Sequence, residues 1–174
     1  TCPCTVWPSS AVPANPSVPD GSAVELGVKF RTDTAGYITG VRFYKGSGNT
    51  GSHVGKLWTA GGVLLASAPF TAETATGWQQ VLFATPVAVT ANTTYVVSYH
   101  APNGFYAGDG GFFNGTGVDR APLHALASGI DGSNGVYAYG AGGFPSESYD
   151  STNYWVDAVF VTSLSPTTTT TSTT

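Results

Sequence analysis

The 174-residue sequence contains no methionine, and only 9% of its residues are charged. Missing methionine is read as removal of an initiator, with a signal peptide cleaved upstream of Thr1. Few charges mean that solubility rests on Gly, Ser, Thr and Asn, a balance common in secreted β-proteins and unusual in cytosolic helical ones. No apolar run approaches the roughly 20 residues that span a bilayer, so no membrane span is expected. Basic residues are scarce as well: Lys29, Arg31, Arg42, Lys45, Lys56 and Arg120 are scattered, and the net charge is −4. Neutralising phosphates takes clustered Lys and Arg, which excludes a nucleic-acid partner. The only cysteines, Cys2 and Cys4, are too close together to staple a fold. They close a tight ring, pair with an upstream segment or stay free. A Gly-x-Ser-x-Gly elbow, a Walker loop and a dinucleotide fingerprint are all missing. No segment sustains a 3.6-residue apolar period, which removes amphipathic helices from consideration.

What is present alternates with period two. Val24, Leu26, Val28 and Phe30 fall on one face of a strand running to Arg31. Tyr37 to Lys45 reads as a second strand with Tyr37, Val41 and Phe43 inward. Further strands are expected at Lys56–Thr59, Val63–Phe70, Trp78–Phe83, Val87–Val89, Thr93–His100 and Tyr154–Val161, with turn chemistry between them. From Ala101 to Asn153 the chain is rich in glycine and aromatics, and only Val136–Tyr139 resembles a strand. So long a segment is expected to carry function. The fold expected is all-β: an antiparallel, jelly-roll-like β-sandwich with one long irregular loop segment. Residues 1–20 form an irregular proline-containing segment packed on the domain, and residues 21–162 the sandwich module. Residues 163–174 form a Pro/Thr/Ser-rich linker to covalently attached neighbouring domains.

Several strings carry a family resemblance: Val24-Glu25-Leu26-Gly27-Val28-Lys29-Phe30, Gly40-Val41-Arg42-Phe43-Tyr44-Lys45, Gly77-Trp78-Gln79-Gln80-Val81, Ala91 to His100, and Asn153-Tyr154-Trp155-Val156-Asp157. Together they resemble a bacterial domain family of unknown function, found in large secreted and surface proteins beside immunoglobulin-like repeats and carbohydrate-active modules. The likeness runs from about Trp7 to Val161. It implies a sandwich in modular extracellular proteins, and it brings no established reaction.

Three groups of residues are candidates for chemistry. If Tyr37–Lys45 and Thr93–His100 run in the same direction, His53 and His100 meet at one edge of the sandwich. His124 arrives there on the long segment, and such a set would suit Zn²⁺ or Cu²⁺. The plainer reading is that each histidine bonds backbone or solvent. Glu25 and Asp157, on the outward faces of the first and last strands, together with loop carboxylates Asp20, Asp131 and Asp150, would suit a structural Ca²⁺. The competing reading pairs Glu25 or Asp157 with Lys29 or Arg31. Aromatics give the third group, because sugar rings stack on exposed Trp and Tyr while Asn, Asp and Gln bond the hydroxyls. With Leu57 and Val156 inward, Trp58 and Trp155 point outward. Tyr106, Asp109, Phe112 and Tyr137 lie on the long segment, where most rings are expected to pack beneath the loop. The function expected is non-catalytic binding of a polysaccharide or other glycan by a monomeric extracellular module. A metal-dependent enzyme using the histidines and a structural or adhesive spacer are the alternatives.

Overall fold

The computed structural model describes residues 2–164, all of whose regular elements are strands. The expected linker at 163–174 lies outside these residues, apart from Ser163 and Leu164. The strands are β1 (Val24–Thr32), β2 (Gly36–Lys45), β3 (Val54–Thr59), β4 (Leu64–Pro69), β5 (Gly77–Val89), β6 (Tyr95–Ala101), β7 (Val118–Arg120), β8 (Leu123–Ala125), β9 (Val136–Tyr139), β10 (Glu147–Ser148) and β11 (Val156–Val161). They form two antiparallel sheets. The larger runs β10-β9-β1-β6-β3-β4, with β8 and then β7 added beside the second half of β1; the smaller is β11-β2-β5.

The two sheets pack face to face as a sandwich, as the alternation predicts. Val24, Leu26, Val28 and Phe30 of β1, Leu57 of β3, and Val97 and Tyr99 of β6 meet Ile38, Val41 and Phe43 of β2 and Val156, Ala158 and Phe160 of β11 in one buried cluster. Phe43 and Tyr99 stack across it at 4.1 Å, and Phe70 meets Phe43 edge-on at 4.8 Å. Each such side chain contributes about 1.5–3 kcal/mol by leaving water. One inward assignment is corrected. Ile38 is in the core, and Tyr37 is only half-buried. Against β11, Gly40 and Ile38 oppose the consecutive residues Val159 and Phe160, so Thr39 is the extra residue of a bulge, which reverses the phase of the first residues of β2.

Each outer face of the sandwich is covered in part. On the smaller sheet, Asp157 of β11 accepts hydrogen bonds from the backbone N–H groups of Val6 (2.8 Å) and Trp7 (3.2 Å). That anchors the N-terminal segment, and Cys4 adds a bridge to Phe160. Cys2 and Cys4 are joined in a disulfide. Trp7 then packs against Trp78 and Trp155. On the larger sheet, Trp58, Val96 and Val136 form a second buried cluster capped by Phe144 of the long segment. That segment is ordered against the sheet by three short strands the alternation did not predict, β7, β8 and β10.

Candidate functional site

The long segment and the chain just before β1 together build a tyrosine-lined cleft. Tyr137 and Tyr139 are alternate residues of β9 and so share a face; β1 fixes their height through the pairs Leu26↔Tyr137 and Val24↔Tyr139. Tyr149 follows β10, which pairs with β9 at Glu147↔Tyr137. Tyr106 comes from the loop after β6, where its carbonyl accepts the Val18 N–H at 2.8 Å. The Phe105 N–H bonds the Asp20 carbonyl at 2.7 Å, and Gly104 lies so close beneath that any β-carbon there would collide with the same carbonyl. Val18, Asp20, Tyr106, Tyr137, Tyr139, Tyr149 and Tyr154 enclose about 310 Å³, at the small end of ligand sites.

Tyr106, Tyr137, Tyr139 and Tyr154 contact one another edge-to-face, with centroids 5.5–6.3 Å apart. Tyr106 and Tyr154 are buried at the base, whereas Tyr139 and Tyr149 are 56% and 72% exposed. Asp20 anchors the polar side. Its Oδ2 accepts the hydroxyls of Tyr139 (2.6 Å) and Tyr106 (3.2 Å), and its Oδ1 accepts the Ser22 N–H (3.0 Å). The Tyr139 hydrogen bond, more than any other influence, lowers the Asp20 pKa. Burial raises those of Tyr106 and Tyr154, the latter to about 12, and the bond to Asp20 raises that of Tyr139. Asp20 is therefore an anion and these tyrosines neutral across the physiological range. A general acid or base works best with a pKa near the operating pH, so these groups suit recognition rather than proton transfer.

Of the aromatics singled out in the sequence, Tyr106 and Tyr137 line this cleft; Trp58, Phe112 and Trp155 do not. Trp58 points away from the sandwich core but is only 7% exposed, because Phe144 covers it and its indole N–H donates to Ser98. Trp155 is 5% exposed, and its positive φ places it before β11 rather than in its alternation. Trp7, Trp78 and Phe112 pack on its ring. Asp109 works within the fold, accepting the Ala14 and Asn15 N–H groups and the Trp155 indole N–H at 2.8–3.0 Å. The expected glycan site thus misses Tyr139, Tyr149 and Tyr154, and Asp20, which the sequence offered for calcium, lies here among tyrosines with no second carboxylate in the lining. The two-residue repeat in Tyr137-Ala138-Tyr139 is the signal that could have added Tyr139.

The histidines do not converge. His53 and His100 do reach the same end, since Val54 pairs with His100. His124 pairs with Arg31, six residues along β1 from the His100 partner Glu25, and is held by Asp33 and Asp119, each at 2.8 Å. Burial opposes charge on His124, but these two carboxylates prevail and raise its pKa. His53 is fully buried. Its Nδ1 bonds Glu73 and its Nε2 faces Asn49, both at 2.8 Å, so neither ring nitrogen is free for a metal. Burial lowers its pKa, as it does that of His100. Among the described residues, no three His, Cys, Asp or Glu side chains are grouped as a metal set.

Glu25 and Asp157 are corrected likewise: they lie in opposite sheets, and both are buried beneath covering segments. Their cations are Lys56, at 2.7 Å from Glu25, and Arg42, at 3.7 Å from Asp157, rather than Lys29 or Arg31. Burial raises the Glu25 pKa to about 7 and that of Asp157 to about 6. Asp131 instead binds Arg31 and Thr94.

A search among curated proteins finds no match to this chain. A family model described as "Domain of unknown function (DUF4082)" matches residues 10–156, a span that includes β1 to β10, the long segment and every residue lining the cleft. With well over half of its length matched, the chain belongs to the DUF4082 family.

Proposed function

We propose that this chain is a non-catalytic extracellular module that binds polysaccharide, joined to a larger secreted or surface protein through the Thr/Ser-rich run after Pro166. The observation that carries the reading is the cleft: two exposed tyrosine rings beside a fixed, ionised carboxylate. Tyr139 and Tyr149 offer faces to the apolar C–H side of a sugar ring, and Asp20 accepts hydroxyl hydrogens. The cleft's single protonation state supports binding over hydrolysis.

Depletion from solution by insoluble cellulose, chitin and xylan, with titration of soluble glycans, tests the reading. Retention on at least one is expected, weakened about ten-fold in Tyr149→Ala as one stacking contact of roughly 1–2 kcal/mol is lost. Trp58→Ala should lower stability and cost less affinity than Tyr149→Ala, because the ring is buried under Phe144 and does not line the cleft. No retention on any of these glycans would overturn the proposal.

A further inference from the structure

The cleft carries a negative charge that no cation among the described residues pairs with. Asp20 makes no ion pair among the described residues, and no basic side chain lines the cleft. The chain's six basic residues are engaged elsewhere. Lys29 and Arg31 bond Asp131, Arg42 pairs with Asp157, Lys45 with Glu73 and Lys56 with Glu25, and Arg120 donates to Thr5. Two more exposed carboxylates, Glu147 and Asp150, flank the tyrosines in sequence and add to the negative potential. The walls around Asp20 are π-faces, whose quadrupole attracts cations.

We infer that the cleft selects glycans bearing free amino groups, with a sugar ammonium seated between the tyrosine faces and the Asp20 carboxylate. This rests on the glycan-binding reading above and names its ligand class. An ammonium brings three N–H donors and a full charge to a carboxylate that needs one. The hydrogen bonds Asp20 accepts within the fold all come from neutral donors, the two tyrosine hydroxyls and Ser22, so none of them supplies the positive charge that an ammonium would bring. A neutral sugar hydroxyl can bond the same carboxylate but leaves the charge uncompensated. A uronic acid would set carboxylate against carboxylate. An N-acetylated amine retains an N–H but has no charge.

The experiment is calorimetric titration of the intact chain at pH 5.5 with tetrasaccharides of β-1,4-linked glucosamine, N-acetylglucosamine, glucose and galacturonate. The glucosamine tetramer is expected to bind at least about ten-fold more tightly than the other three. That preference should shrink with added salt, as an ionic contact does. Asp20→Asn, which keeps an acceptor for the tyrosine hydroxyls, should abolish the preference. It should weaken the binding of the neutral tetramers as well, by less than it weakens that of the glucosamine tetramer, because they lose a hydrogen bond and no ionic contact. Tyr149→Ala, at an exposed rim position, should weaken all bound ligands together and so report the stacking face independently of the charge. Equal affinity for the glucosamine and glucose tetramers, or a preference that persists in Asp20→Asn, would overturn the amino-sugar inference and leave glycan binding standing. Tighter binding of the galacturonate tetramer would also overturn it. Failure to bind any tetramer or any insoluble glycan would overturn both.

Discussion

Replacing Lys56 by methionine should destabilise the protein by an amount that grows with pH. Lys56 Nζ donates to Glu25 Oε2 and to the Gly142 carbonyl, each at 2.7 Å, beneath the long segment. Glu25 is fully buried and also accepts the Ser98 hydroxyl at 2.6 Å. Burial lifts its pKa from 4.5 to about 7 in spite of Lys56, whose contact works in the opposite direction. Between these values the folded state holds a proton that the unfolded state has released, so stability falls as pH rises. At about 1.36 kcal/mol per pKa unit the loss reaches roughly 3 kcal/mol by pH 7, above which the intact pair holds it constant. Without Lys56 the Glu25 pKa climbs further, so in the variant the decline continues above pH 7, by up to about 1.4 kcal/mol per pH unit. At pH 5.5, where Glu25 is neutral, the variant forfeits the hydrogen bonds of Lys56, about 1–2 kcal/mol. At pH 8.5 it faces an unpaired buried carboxylate, about 3–5 kcal/mol. For a domain of this size these correspond to losses in Tm of about 4 °C and about 10 °C. Thermal unfolding at both pH values is the assay, with Lys56→Met/Glu25→Gln as control, which should recover most of the loss at pH 8.5. A loss of equal size at both pH values would refute the reasoning, as would a double variant no better than the single one.

Three further outcomes are expected. Asp109→Ala removes one acceptor for three N–H groups and should lower stability by about 2–3 kcal/mol, with a red shift of tryptophan emission as the packing around Trp155 opens; unchanged unfolding and emission would show that these bonds are dispensable. Gly142→Ala places a β-carbon 2.6 Å from Lys56 Nζ and 3.1 Å from Glu25 Oε2, at a φ of +96° that disfavours any side chain. It should destabilise by about 2 kcal/mol, and less than additively with Lys56→Met, because both disturb one cluster; urea unfolding of the two single variants and the double decides it. His124 gains charge stabilisation from Asp33 and Asp119, a contribution present below its unfolded pKa and lost as pH rises through the higher folded one. A His124→Gln variant should therefore be less stable than the parent at pH 5.5 and indistinguishable from it at pH 8.5 by the same measurement.

The body of the sandwich was legible because a buried sheet face imposes a two-residue period on the chain. Val24, Leu26, Val28 and Phe30 could be assigned to the core from their spacing alone, and all four lie there. Tyr37 shows where that logic stops: a single bulge shifts the phase, and nothing in the local sequence announces it. Trp58, Trp155, Glu25 and Asp157 expose a second limit. Alternation correctly sends Trp58 away from the core, yet it cannot say whether that face meets water. Here the parts of the outer faces that carry these residues are roofed by chain far away in sequence, so outward became buried. The cleft was half visible for the same reason. Tyr106 and Tyr137 stood out as aromatics of the long segment, but their polar partner Asp20 comes from the other side of β1 in sequence, and only the fold brings it to them.

The buried charges, so poor as metal ligands, explain how a long glycine-rich segment holds a site at all. A loop of this composition loses much conformational entropy on ordering, about 1–2 kcal/mol per residue, and apolar contact alone gives it no fixed register. Glu25 with Lys56 fixes the carbonyl of Gly142, and Asp157 fixes the N–H groups of Val6 and Trp7. Asp109 ties Ala14 and Asn15 to Trp155. Each is a directional contact between a covering segment and a side chain or backbone elsewhere in the fold. Asp20 makes the same kind of tie from the segment before β1 to Tyr106 and Tyr139, but it alone among these carboxylates lines the cleft. Rings held by such ties do not have to be ordered when a ligand arrives, and that saving goes directly into affinity. The cleft therefore depends on contacts outside it: loosening the Gly142 clamp through Lys56→Met should weaken glycan binding at pH 8.5 even though no residue of the cleft has changed.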